Sequence, residues 1–317
     1  MDLRSAPPAS RRRRLERRAL PLGAVAVLSL GAGIVLGASH VPGEQRVAER
    51  FGQAWERGDH AAMHALTTGA PDVETFTAAY RAAFDTATAT AVDVGEPARE
   101  GESYALPVTV TTTAFGDVRG TVVLTLDGDG ETARIRWAEH LAFPGLTPGA
   151  ALERATELPP RAAIVARDNV ALAQGAERAP DEALAGIASS IVGALGPIPP
   201  EEAEAYARAG YPAEAQVGIS GLERIFEREL AGTPGGELRA GGAVLAAREP
   251  QPAEPVRTTL APSVQEAALT ALAGRLGGVV AMDPRTGEIL AAAGIAFSGL
   301  QPPGSTFKLV TLAAALE

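Results

Sequence analysis

Pro302-Pro303-Gly304-Ser305-Thr306-Phe307-Lys308 stands nine residues from the end of a 317-residue chain. Two prolines and a glycine cannot continue a preceding helix, so this stretch predicts a helix that opens at Ser305. Residues three apart on a helix share a face, which brings the Ser305 hydroxyl and the Lys308 amine together over one turn. Free backbone N–H groups and the helix dipole at such an N-terminus favour a nucleophilic oxygen and a developing oxyanion. Lys308 is also the sole lysine; every other basic residue, bar four histidines, is arginine. An arginine keeps its proton, whereas a desolvated lysine can act as a general base. Taken alone, the four residues fit a serine N-cap followed by a surface lysine better, and the rest of the chain reverses that reading.

Immediately upstream, Ser263-Val264-Gln265-Glu266 reads as a capping box, with Leu269 and Leu272 on the apolar face of the helix behind it. Gly277–Met282 reads as a strand, Asp283-Pro284-Arg285-Thr286-Gly287 as a tight turn and 288–293 as the returning strand. An apolar helix, Leu309–Leu316, follows Lys308. In this order residues 258–317 resemble the opening of a penicillin-binding transpeptidase domain, an α/β serine-enzyme fold of the β-lactamase-like kind. Ser-x-x-Lys is a signature of that group. The resemblance implies Ser305 as nucleophile, Lys308 as base, D-Ala-D-Ala stem peptides of peptidoglycan as substrate and β-lactams as inhibitors. It implies no cofactor and no metal. The same family uses a Ser-x-Asn element and a Lys-Thr-Gly strand further on. With one lysine in the chain, Lys-Thr-Gly is not among these residues, so the expectation is a segment cut just after Ser-x-x-Lys and incompetent by itself.

Residues 150–256 predict a mixed α/β module. Arg161–Ala173 reads as two short strands about a turn, and Pro180–Leu195 as an amphipathic helix. Pro199-Pro200 before Glu201-Glu202 marks a helix start, and a further helix runs from the Gly218/Ser220 turn to Leu230, stopped by Gly232. This region resembles the dimerisation (pedestal) domain of class B penicillin-binding proteins. Arg161, Ile164, Asn169, Leu172 and Ala173 match its Arg-Gly-x-Ile-x-Asp-Arg-Asn-Gly-x-x-Leu-Ala pattern, and Gly221-Leu222-Glu223 its next landmark. Ala162 replaces a glycine, Arg167-Asp168 stands in reversed order, and Val170 takes the place of another glycine.

Residues 44–148 predict a small α+β domain. Val47, Phe51, Ala54 and Trp55 place an amphipathic helix over 44–57, ended by Gly58-Asp59. His60–Leu66 and Val73–Thr86 follow as helices, the second with Phe76, Tyr80 and Phe84 on one stripe. Period-two alternation then marks strands over Tyr104–Ala114, Val118–Asp127 and Ala133–Leu141. Phe51–Asp59, together with Trp137 and Phe143-Pro144-Gly145-Leu146, resembles the NTF2-like domain, an α+β cone, that precedes the transpeptidase in some penicillin-binding proteins. The resemblance implies a spacer. His60 and His64 sit one turn apart, but no third ligand is nearby, so no metal site is expected.

Residues 1–19 hold seven arginines against Asp2 and Glu16, a charge of +5, which leaves −15 on the rest of a chain of net charge −10. An acidic body argues against nucleic-acid binding. Residues 20–38 are uncharged and apolar, long enough to cross a bilayer as a single helix. Arginines before it put 1–19 in the cytoplasm and the body outside. A cleaved signal peptide is the competing reading; the apolar run is longer than a usual signal core and no clean A-x-A site follows. The absence of cysteine removes disulfides and thiolate metal sites. The whole reads as a multidomain α+β chain at the cell membrane. The resemblance implies stem peptides and β-lactams as partners and, through the outer domains, division or cell-wall synthesis proteins. A secreted β-lactamase and a β-lactam sensor share the Ser/Lys pair but seldom this arrangement of anchor and domains. The main alternative is a non-catalytic anchored scaffold or decayed pseudoenzyme.

Overall fold

The computed structural model describes residues 42–297 and 304–316. The arginine-rich tail and the apolar stretch 20–38 lie outside the described residues, as do Pro302 and Pro303. Among the described residues no helix is long and apolar enough to cross a membrane. Two compact units form, and they do not follow chain order. One gathers 42–70, 95–106 and 123–137; the other gathers 71–94, 107–122 and the residues from 138 onward.

In the first unit, helix α1 (Gly43–Glu56) buries Val47, Ala48, Phe51, Ala54 and Trp55 along one stripe. Its start is pinned. The Glu44 carboxylate accepts from the Gly130 N–H at 2.5 Å, which holds its pKa below the usual value, and Arg46 pairs with Glu131 at 2.8 Å. Gly43 is required there, because a Cβ would lie 2.4 Å from the Gly130 carbonyl carbon. Asp59 then caps α2 (His60–Ala65), accepting from the Ala62 N–H at 2.9 Å. Strand β1 (Thr67–Thr68) follows.

Helix α3 (Val73–Thr86) opens the second unit and spans the range its aromatic stripe predicts. Phe76 and Tyr80 are buried with ring centroids 4.8 Å apart; Phe84 is half-buried. The Asp72 carboxylate caps it, accepting from the Glu74 and Thr75 amides at 3.0 Å and the Thr75 hydroxyl at 2.8 Å. These bonds, the Thr75 amide foremost, hold its pKa below the ordinary 3.8. A depressed folded pKa contributes stability above the ordinary value and loses it as pH falls through the folded one. Asp72→Ala is therefore expected to lower the melting temperature at neutral pH. The gap to wild type should close as the pH drops below 3.8, which thermal melts over a pH series would check.

Strands β2 (Ala89–Val94), β3 (Ala98–Glu100), β4 (Ser103–Thr112), β5 (Gly116–Asp127) and β6 (Arg134–Arg136) complete this region. β2 and β3 each pair antiparallel with β4, β5 pairs antiparallel with β6, and β1 joins β6 in parallel. The expected third strand over Ala133–Leu141 is shorter: β6 is three residues, and a 3-10 turn occupies Glu139–Ala142. That turn buries Leu141 and Ala142, and Phe143 behind them is buried too.

From residue 152 onward all elements lie in the second unit. β7 (Leu152–Glu157), β8 (Ile164–Val165) and β9 (Ala171–Ala173) come first, the last two an antiparallel pair about a turn where Asn169 takes φ +68°. Helix α4 (Ala185–Ile191) is shorter than the expected 180–195. Gly193 turns at φ +86°, and the chain enters β10 (Leu195–Pro197). After a 3-10 turn at Pro200–Glu202 come α5 (Ala203–Arg208), β11 (Gln216–Gly218), α6 (Gly221–Ile225) and α7 (Glu227–Ala231). The single helix expected up to Leu230 is thus broken at Phe226, whose φ −107°, ψ 27° is not helical. β12 (Gly235–Ala240) pairs with both β7 and β13 (Ala243–Arg248), and β14 (Val256–Arg257) lies parallel to β8. Ile164, Leu172, Ile187, Ile191, Leu222 and Leu230 belong to one buried cluster.

The last elements are α8 (Pro262–Leu272), the hairpin β15 (Gly278–Met282) and β16 (Ile289–Gly294), and α9 (Phe307–Leu316). The capping box is corrected. Ala261 is the N-cap with no side-chain bond, Pro262 takes the first turn, and Gln265 is fully buried. The hairpin turn is as expected: Asp283 accepts from the Gly287 N–H at 2.8 Å through its carbonyl and from the Arg285 N–H at 2.9 Å through its carboxylate.

Candidate functional site

Gly304, at φ +53°, opens a 3-10 turn through Thr306 that runs straight into α9. Ser305 therefore stands at the head of a helical stretch, with Lys308 one turn on and on the same face. Both side chains are exposed, as is every described residue of α9, including Phe307, Leu309, Val310 and Leu312. A serine hydroxyl beside an amine can form an ester with an activated carbonyl if the amine takes the hydroxyl proton. A lysine does this best when desolvated, and among the described residues nothing covers Lys308. No group of three or more His, Asp or Glu side chains gathers to hold a metal ion among the described residues.

A second constellation lies within residues 161–227. The Arg161 guanidinium donates from Nε to Glu223 Oε2 at 2.7 Å and from Nη2 to Glu227 Oε2 at 2.8 Å. Nη1 reaches Glu227 Oε1 at 3.2 Å, and Nη2 also reaches the Glu223 carbonyl at 3.1 Å. Arg178 donates from Nε to Glu223 Oε1 at 2.7 Å and from Nη1 to the Ala162 carbonyl at 2.9 Å. Glu227 further accepts from the Gly218 N–H at 2.6 Å and the Tyr211 hydroxyl at 3.2 Å. Gly218 makes this possible, since a Cβ there would sit 2.2 Å from the Glu223 backbone. The Glu223 side chain is 1% exposed and that of Arg161 12%.

Electrostatics agree with the geometry. Burial acts to lower the Arg161 pKa, but the bonds to Glu227 and Glu223 more than offset it and hold the guanidinium above its usual value. Burial, and then the Glu227 charge, push the Tyr211 phenol well up, so it stays a donor. Two arginines balance two glutamates, and the carboxylate oxygens are engaged. The cluster has no nucleophile to offer; it ties residues 161–178 to 211–227. The family pattern pointed to Arg161 and Glu223. Arg178, Tyr211 and Glu227 were missed, although Glu223 and Glu227, four apart on an otherwise apolar face, were a legible sign. Arg167, from the reversed pair in that pattern, faces Glu288 at 3.6 Å instead.

Three family models match the chain in order. Residues 43–150 match the NTF2-like N-terminal transpeptidase domain, 183–255 the penicillin-binding protein dimerisation domain, and 277–317 the penicillin-binding protein transpeptidase domain. A curated relative, peptidoglycan D,D-transpeptidase MrdA of Acinetobacter baumannii, is 35% identical over 107 residues, 32% of this chain and 16% of that protein. Among solved structures, Pseudomonas aeruginosa PBP2 in complex with WCK 5153 is 28% identical, with 45% of this chain and 30% of that chain covered at a TM-score of 0.34. Penicillin-binding protein 2B from Streptococcus pneumoniae is 28% identical, with 36% and 22% covered at a TM-score of 0.29. The chain thus spans less than a third of each of these proteins.

Proposed function

We propose, from the premise that the chain belongs to the class B penicillin-binding proteins, that the whole protein cross-links peptidoglycan by serine acyl transfer. The observation that carries this reading is the Ser305-x-x-Lys308 pair at a helix start inside the transpeptidase-matched segment. Ser305 Oγ attacks the carbonyl of the penultimate D-Ala of a stem peptide while Lys308 takes its proton. The tetrahedral oxyanion collapses, the terminal D-Ala leaves as an amine carrying that proton, and an ester remains on Ser305. An amine of a neighbouring stem displaces the ester, forming the cross-link and freeing Ser305. The helix N-terminus stabilises the oxyanion. A β-lactam presents an amide of the same shape and leaves its acyl group on Ser305. The protein is anchored by residues 20–38 with the body outside the membrane, and residues 44–148 lift the later domains away from it.

A second reading, a non-catalytic scaffold of wall synthesis, takes its support from the exposure of Lys308 among the described residues. One experiment separates the two. The whole gene product is incubated with fluorescent penicillin and digested with trypsin, and the adduct is located by mass spectrometry. Transpeptidase chemistry puts one adduct on the peptide that ends at Lys308, at Ser305. An adduct elsewhere, or none, removes the acyl-transfer reading.

A further inference from the structure

β16 is held on two sides, by a strand and by a side chain. It pairs antiparallel with β15, Ala292 lying opposite Val280. Ala292 turns both its backbone groups onto Gln265 of α8. The Gln265 Nε2 donates to the Ala292 carbonyl at 2.7 Å, and the Ala292 N–H donates to Gln265 Oε1 at 2.8 Å. Two residues earlier, the Leu290 carbonyl accepts from the Ala261 N–H at 2.8 Å, just before α8. Gln265 is 0% exposed. Ala268 of α8 packs in one cluster with Ala291 and Ala293, and these small residues let the helix ride close enough for the amide to reach.

We propose that Gln265 is a positioning residue for Ser305, on the reading that Ser305 is the nucleophile. The primary amide copies a peptide group, one donor and one acceptor, and so stands in for a missing neighbour strand at one register. In chain order β16 is followed by the turn at Ile295–Phe297 and later by the turn Gly304–Thr306 that holds Ser305. A slip of β16 moves the point at which the chain leaves the sheet on its way to Ser305. Leucine at 265 would leave two buried backbone groups unpaired. An ionised glutamate would keep the acceptor and lose the donor; a protonated one keeps both.

The test uses the whole gene product with Gln265→Leu and Gln265→Glu, reading the rate of fluorescent-penicillin acylation at Ser305 and the hydrogen exchange of the Ala292 amide. Gln265→Leu is expected to slow acylation by about 10–100-fold and to speed that exchange. Gln265→Glu should be as slow near about pH 8 and recover toward the wild-type rate near about pH 5.5, because burial raises a carboxyl pKa into that interval. The ratio of variant to wild-type rate at each pH isolates the new carboxyl, because every other titrating group is common to both proteins. β15, β16 and α4, which pack against α8 or its strand, carry no titratable side chain, and the one on α8, Glu266, is exposed. If Gln265→Leu does not fold, the pH recovery of Gln265→Glu still supports the role. Wild-type acylation in both variants at every pH overturns it, as does a loss in Gln265→Glu that ignores pH. A wild-type protein that takes no label sinks the Ser305 reading and the positioning role with it. Ala292 exchange unchanged in Gln265→Leu sinks the contact alone.

Discussion

Arg161→Ala is expected to destabilise the protein by about 3–5 kcal/mol, the cost of removing one partner from a buried ion pair. The loss comes less from the missing attraction than from what stays behind. Glu223 and Glu227 would face each other in the interior with Arg178 as the only cation among their bonded partners. Glu223→Ala should cost a similar amount, since it takes from Arg178 its carboxylate partner and leaves Arg161 with Glu227 alone. The two losses should be far from additive, because each variant already breaks the same contacts. Arg161→Lys should fall between wild type and alanine: a lysine supplies one charge but not the planar fork that reaches two carboxylates and a carbonyl. Urea denaturation of wild type, these three variants and the Arg161→Ala/Glu223→Ala double variant measures all of this. A loss below about 1 kcal/mol for Arg161→Ala, the size of a surface pair, would mean that the cluster is wet and loosely held.

Ser305→Ala is expected to abolish labelling by fluorescent penicillin, since it removes the hydroxyl that stands three residues before Lys308 on the same face. Lys308→Arg is the sharper variant. It keeps the positive charge but removes the ability to give up a proton near neutral pH. Acylation should fall by about 10²–10⁴-fold, the contribution of a positioned general base. A partner that served only as an electrostatic anchor would survive this change. Near-wild-type acylation in Lys308→Arg would therefore assign proton removal to another group, whereas stoichiometric labelling of Ser305→Ala would move the nucleophile elsewhere.

Legibility followed periodicity and chemistry. α1 and α3 were readable because each buries one continuous stripe, α1 stopping just before Gly58 and α3 opening on the Asp72 cap. The hairpin before Ser305 was readable because Asp283 and Gly287 specify its turn. β2, β7, β12 and β13 were not, because their half-exposed residues carry too little alternation to declare a strand. Gln265 was misread for a similar reason. In sequence it is only an interior position of the motif Ser263-Val264-Gln265-Glu266, and the approach of β16 alone gives its amide a partner.

By itself, then, the sequence determined the local elements, the order of the domains and the chemistry available: one serine and one lysine at a helix start, in a chain without thiols. These depend on neighbours within a turn or two, where hydrophobic period, glycine and proline act directly. Tertiary structure alone decided that Glu223, Glu227, Arg161, Arg178 and Tyr211 meet inside, and that a helix side chain completes the bonding of β16. Such contacts join residues tens of positions apart, from Arg161 to Glu227 or from Gln265 to Ala292. A buried polar group takes whichever partner the packing of the whole chain brings within reach, and nothing in its own neighbourhood announces which one that will be.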